Sequence, residues 1–236
     1  MSHTAVIAGV GPGLGASLAR RFATEGCHVG LFARSPEYIE DLAGEIRTDT
    51  DGDAVAVTTD ITDRQQVREA FESVREAFGP VDVLVNNASG AAWRGVEIDP
   101  GEFERSLQVG PVGSLHCTQA AVADMRAGEG GTVLFTGATS AVRGRGGALG
   151  FSAAKFATRG MAESLARELG PEGIHVAHVV VDGQIANPET LDSSPDRDPE
   201  EFLDPDAIAD AYWHLIEQDR SAWTLELDVR PHVEEF

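Results

Sequence analysis

The sequence predicts one α/β domain, residues 1–236, built on a doubly wound parallel sheet of about seven strands flanked by helices. Two observations predict it. Short apolar runs rich in Val, Ile and Ala alternate with helical patterns of about ten to fifteen residues, the signature of successive βαβ units. The fourth run, Val81–Val85, has almost no polar face, as expected for the buried middle of a parallel sheet. No internal repeat and no linker-like stretch divides the chain, and 236 residues with 42% hydrophobic content can bury one sizeable core.

The elements follow in order. Ala5–Gly9 reads as the first strand, followed by a helix from Leu14 to Glu25 that buries Leu18 and Phe22. His28–Ala33 is the second strand, and Pro36 opens a helix through Ile46. Ala54–Thr59 is the third strand. The next helix carries Val67, Phe71, Val74 and Phe78 at i, i+4, i+7 and i+11, a stripe that faces one side. After the fourth strand comes a long helix from Glu102 to Met125, then strand Thr132–Phe135. A helix over Phe151–Leu169 leads to strand Ile174–Val181, in which His175 and His178, with His116 before them, read as core histidines. Asp204-Pro205 starts a last helix to Gln218, and Trp223–Val229 closes the sheet.

Composition narrows the function classes. The net charge is −21, and a single lysine stands against seventeen arginines. Carboxylates spread over every helix, with so little lysine, suggest a surface kept hydrated in a salty cytosol where repulsion is screened. No basic face offers itself to nucleic acid. Cys27 and Cys117 form no metal or redox motif, which suits a reduced cytoplasmic compartment and predicts no metal site. No segment approaches the roughly 20 apolar residues of a membrane span, and the N-terminus does not read as a signal peptide.

Candidate binding residues cluster where strands meet helices. Gly9-Val-Gly11-Pro12-Gly13-Leu14-Gly15 joins the first strand to the first helix. Its glycines allow a tight turn and close approach to a pyrophosphate, and the helix N-terminus offers unpaired amides. Asp60-Ile61 follows the third strand, and Asn86-Asn87-Ala88-Ser89-Gly90 the fourth. At the end of the second strand, where an acid would select NAD, stand Arg34 and Ser35, which suit the 2′-phosphate of NADP.

From end to end these motifs resemble the short-chain dehydrogenase/reductase family. The Gly9-x-x-x-Gly13-x-Gly15 spacing is that family's form of the loop, although Ala8 stands where Thr is usual. The resemblance implies a Rossmann-type fold and assigns Asp60 to the adenine amino group. It implies cofactor contacts from Ile61, Asn87, Ala88, Ser89, Gly183 and Ile185, with Asp182 where the family has a Pro before the Gly. It also implies a homodimer or homotetramer packed through the two long helices, acting on a small-molecule substrate.

The same resemblance locates the catalytic positions and shows most of them replaced. The family's Tyr-x-x-x-Lys falls on Phe151 and Lys155, its Ser on Ala138, and its helix-borne Asn on Gly110. A phenyl ring has no proton to give. Lys155 survives, which implies a role toward the nicotinamide ribose, and Asp182 is a substitute acid if desolvation raises its pKa. The tyrosines Tyr38 and Tyr212 are not placed at the site by local sequence, and Thr136, Thr139 and Ser140 bring hydroxyls near the lost Ser. Residues 186–206 carry eight acids against Arg197 and read as a solvated, mobile substrate-loop lid. Two functions follow: an NADP(H)-dependent oxidoreductase with a degenerate site, or an NADP(H)-binding protein without turnover that serves as a sensor or assembly partner.

Overall fold

The computed structural model describes residues 3–90 and 92–234. Seven strands form one sheet: β1 (Thr4–Ala8), β2 (His28–Ala33), β3 (Asp53–Thr58), β4 (Val83–Asn86), β5 (Gly131–Thr136), β6 (Ile174–Val181) and an edge strand near the C-terminus, Glu226–Val229. Their order is β3-β2-β1-β4-β5-β6 and then the edge strand, and every pairing is parallel.

Strand alternation sends neighbouring residues to opposite faces. Ala5 and Ile7 of β1 enter one core, beneath α1 (Leu14–Thr24) and α2 (Pro36–Asp49). Val6 and Ala8 enter the other, beneath α3 (Arg64–Phe78) and the helices over Gly113–Ala127 and Leu149–Leu169. Of the predicted stripe, Val67, Phe71 and Val74 are buried on this second face and Phe78 packs half-buried against it. Asp63 caps α3 by accepting from the Gln65 and Gln66 amides.

The predicted helix over Glu102–Met125 is divided. α4 (Pro100–Leu107) passes through one wide π turn, Gln108–Val112, into α5 (Gly113–Ala127). Pro111 within that turn has no amide to donate and crowds the preceding turn, so the regular ladder cannot run through it. α6 (Leu149–Leu169) packs across the sheet and against α4. Residues 186–206, predicted as a solvated, mobile loop, contain structure. β7 (Gln184–Ile185) pairs in parallel with β8 (Phe202–Leu203), and α7 (Pro188–Ser193) lies between them, closed by a capping box of Asn187 and Thr190. α8 (Pro205–Ile216) starts at the predicted cap, where Asp204 accepts from the Asp206 amide, and the edge strand becomes β9.

His175 and His178 are buried as expected, and His178 Nδ1 lies 3.0 Å from Glu226 Oε2. His116 is a correction. It is half-buried on the rim of α5, with Nδ1 3.1 Å from the Ile61 carbonyl, because Leu115 and its neighbours turn outward there. No helix of the described residues is long and apolar enough to cross a membrane.

Candidate functional site

Strand order reverses between β1 and β4, and a crevice opens beyond their carboxyl ends, where such sheets bind ligands. The cleft holds about 580 Å³. Gly9, Gly11, Pro12, Gly13, Leu14 and Gly15 form its floor, Arg34 and Ser35 one rim, Asp60 and Ile61 a wall, and Asn87, Ala88 and Ser89 the opposite wall. These sequence-predicted residues, scattered over more than a third of the chain, converge on one cavity.

The floor explains its glycines. Gly9 has φ +108°, and a Cβ on it would stand 2.3 Å from the Ala88 backbone nitrogen. A Cβ on Gly15 would stand 2.6 Å from the Gly9 carbonyl oxygen. Asn87 Nδ2 donates to that same carbonyl at 2.7 Å, tying the end of β4 to the loop after β1. Gly11, in contrast, has nothing within 4 Å of where a Cβ would stand. The first turn of α1 has no side-chain cap; the Gly13 and Ala16 amides bond to the Gly11 carbonyl, and those of Leu14 and Gly15 are left for a ligand. Hydrogen bonds from the Thr62 hydroxyl and amide hold the Asp60 carboxyl below the usual carboxylate range, and Arg105 stands 3.9 Å away.

Arg105, Asn187, Pro188 and Glu189 also line the cleft, and sequence reasoning did not name them as site residues. Arg105 lies on the solvent side of α4 and carries no local signature. Asn187 sits on Gly13, its Cβ 3.4 Å from where a glycine Cβ would project, a contact set only by the return of the chain through β7.

Lys155 lies in a second, smaller chamber that shares Ala88, Ser89 and Gly90 with the cleft and includes Asn86, Gly110, Ser114, Thr136 and Thr158. The lysine is 7% exposed, and burial pushes its ammonium down to about 8. Its Nζ donates to the Thr136 carbonyl at 2.7 Å and lies 5.6 Å from the centre of the Phe151 ring. Phe151 in turn packs against Trp93 with ring centres 5.0 Å apart and planes tilted by 35°, a partner the sequence did not suggest. Gly110 belongs to the π turn, and its position packs on Ala154, where a Cβ would meet another at 3.1 Å. Ala138 lies half-buried before a short turn, Thr139–Ala141.

The remaining candidates are engaged elsewhere. The buried Asp182 accepts from the Thr139 hydroxyl at 2.5 Å and pairs with Arg143 and Arg230, each at 3.3 Å. Thr136 Oγ1 and the fully buried Tyr212 hydroxyl lie 2.8 Å apart on the α8 face of the sheet, away from Lys155. Gly183 and Ile185 follow β6 but do not line the main cleft. Gly183 is confined by Pro231 and Leu203, and Ile185 packs on the core beneath β8.

Residues 3–190 match the family model of the short chain dehydrogenases. An uncharacterized oxidoreductase of Staphylococcus saprophyticus is 28% identical over 231 residues, covering 96% of each chain. The solved structure of a short-chain dehydrogenase from Rhodopseudomonas palustris is 31% identical, with a TM-score of 0.85 over 98% of this chain and 99% of that one. The alcohol dehydrogenase of the archaeon Thermococcus sibiricus, solved in complex with 5-hydroxy-NADP, is 25% identical, with a TM-score of 0.89 over 100% of this chain and 99% of that one. With the doubly wound sheet, the glycine loop at its switch point and this match over most of the sequence, the chain belongs to the short-chain dehydrogenase family.

Proposed function

We propose that the protein is an NADP(H)-dependent oxidoreductase whose residues bind cofactor and substrate but donate no side-chain proton at position 151. The observation that carries this reading is the cleft at the switch point, with its glycine floor, uncapped α1 amides and acid-free rim. The residues suit a nicotinamide dinucleotide. Gly11 opens onto space that a pyrophosphate can fill, the charged Asp60 can accept from an adenine amino group, and Arg34 and Ser35 stand exposed where a 2′-phosphate would lie. The complex of the Thermococcus enzyme with an NADP derivative supports the same assignment. When bound, the nicotinamide supplies or accepts a hydride.

Lys155, compact and buried beside the cleft, is suited to the ribose hydroxyls, which a planar guanidinium would not fit as well. Gly110, Ala138 and Phe151 offer no proton relay. Asp182 has its oxygens taken by Thr139, Arg143 and Arg230, so water or an acidic hydrogen of the substrate completes the transfer. A positioned acid is worth about 10²–10⁴ in rate, so turnover on ordinary ketones is slow. The structured segment 186–206 acts as a lid through Asn187, Pro188 and Glu189. Exposed Leu115 on α5 and Phe156 on α6 suit a homodimer or homotetramer packed through these helices, in a saline cytoplasm.

Titration by nucleotide fluorescence tests the reading, with saturable NADPH binding tighter than NADH as the expected result. Failure to bind either removes it. A second reading, an NADP(H)-binding protein without turnover, is favoured by the three replaced catalytic positions around Lys155. Absence of turnover on carbonyl and enoyl substrates, with NADPH bound, would select it.

A further inference from the structure

The 39 acids of this chain are unevenly spread. Residues 130–162 contain none, although the average content would place about five in a run of that length. The same run holds Arg143, Arg145, Arg159 and the only lysine. Residues 83–96 are likewise acid-free and carry Arg94. The fold brings these two runs together beside Phe151. The Leu149 amide donates to the Arg94 carbonyl at 2.9 Å, and Gly95 approaches Gly147.

The surface they form has a definite chemistry. Trp93 is 51% exposed and packs against Phe151 with the ring planes tilted by 35°, so two aromatic rings form an apolar shelf beside the Lys155 chamber. The Arg145 guanidinium lies over Trp93, 5.7 Å from the ring centre. A guanidinium stacked on a ring keeps its in-plane N–H donors available for a carboxylate. Arg20, Arg21, Arg75, Arg126 and Arg159 each have a carboxylate partner, but among the described residues Arg94 and Arg145 have none. Arg34, Arg47, Arg64, Arg68 and Arg220 likewise lack a carboxylate within 4 Å among the described residues, but Arg94 and Arg145 are the two beside the Trp93 and Phe151 rings, which leaves their charge to an external anion there. The nearby acid Asp182 is neutralised by Arg143 and Arg230.

We infer that this shelf receives an organic carboxylate with a planar apolar body, the body against Trp93 and Phe151 and the carboxylate on Arg145 and Arg94. The inference rests on the reading of the cleft as an NADP(H) site, since the substrate would lie at its nicotinamide end.

Phenylglyoxylate, which combines a planar ring with a 2-oxo carboxylate, is the probe, and its methyl ester is the uncharged control. Both are titrated calorimetrically into the NADPH-saturated full-length protein in about 1 M KCl, where long-range attraction is screened. The acid is expected to bind at least about tenfold tighter than the ester, the size of effect that charge-assisted hydrogen bonds give. Arg145→Gln and Arg94→Gln should each remove most of that preference without weakening the ester. Arg68→Gln, an equal change in net charge on α3, should leave it intact. Equal affinity for acid and ester, no binding of the acid, or a loss in R68Q matching that in R145Q would overturn the proposal. NADPH titration of the same samples separates the two readings. Normal NADPH binding without acid preference overturns this inference alone, and absent NADPH binding overturns the reading beneath it.

Discussion

Lys155 donates from Nζ to the main-chain carbonyl of Thr136 at 2.7 Å, beneath the ring of Phe151. That bond holds an amine in a chamber with no carboxylate, and desolvation lowers its pKa from 10.5 to about 8. Because the folded value lies below the unfolded one, the unfolded chain binds more protons between those two values. Stability therefore rises with pH across that window and carries the full cost of the buried charge below it. Lys155→Met is expected to exceed the parent in stability by roughly 3 kcal/mol at pH 7, with the difference vanishing near pH 10.5. The buried thiols of Cys27 and Cys117, pushed up to about 11 and about 12, move stability the opposite way above pH 9. They do so in both proteins, so the difference isolates Lys155. Urea unfolding across pH 7–10.5 checks it, and a gap independent of pH would show that Lys155 does not titrate as described.

The glycine floor separates folding from binding. Gly9→Ala forces a Cβ to 2.3 Å from the Ala88 nitrogen at a positive φ and is expected to cost about 2–4 kcal/mol. Gly11→Ala meets no protein atom, so the melting temperature should stay nearly unchanged while NADPH affinity falls about tenfold or more. Thermal melts paired with NADPH titration read both effects. Equal behaviour of the two variants would contradict this account of the loop.

Arg34 is expected to carry the choice of nucleotide. Arg34→Ala should weaken NADPH by about 1.5–3 kcal/mol while changing NADH little, since only the former bears the phosphate. Parallel titrations check this, and an equal loss for both would reassign Arg34 to general electrostatics.

Restoring the missing acid should restore chemistry. Phe151→Tyr with Ala138→Ser is expected to raise carbonyl reduction by about 10²-fold or more over the parent. Adding Gly110→Asn should help less than its chemistry suggests, because its Cβ must pass within 3.1 Å of the Ala154 Cβ. Steady-state rates and melts on the double and triple variants test both statements. No gain in the double variant, with NADPH still bound, would mean that the catalytic geometry itself has been lost.

Asp182→Asn distinguishes a structural anion from an acid. Loss of the carboxylate leaves Arg143 and Arg230 facing an amide, and a destabilisation of about 1–3 kcal/mol is expected. Any turnover should keep its pH profile. A shifted acidic limb would return Asp182 to a role in proton transfer.

Much of this was legible in the chain because local pattern carries it. The first six apolar runs became strands within a residue or two, the last began at Glu226 rather than Trp223, and the stripe Val67, Phe71, Val74 became the buried face of α3. The glycine loop was legible because its backbone demands are local. What escaped depends on partners distant in sequence. Trp93 meets Phe151, Tyr212 meets Thr136 and Asn187 meets Gly13 only after the sheet is assembled. The π turn hid inside a good helical pattern, since Pro111 alone does not reveal whether a helix kinks, stops or widens. Asp182 stood as a candidate substitute acid because Arg230, forty-eight residues later, gives no local sign of pairing with it.

The grip of Asn87 on the Gly9 carbonyl, with Ala88 pressed against Gly9, has an evolutionary consequence. Nearly every substitution at this junction collides with main chain, so drift there is purged by folding before function is ever consulted. Ala138 and Phe151 enforce no such lock. A lineage can therefore exchange its proton chemistry while its nucleotide cradle stays frozen, and the inventiveness of this scaffold resides in the part that folding leaves unguarded.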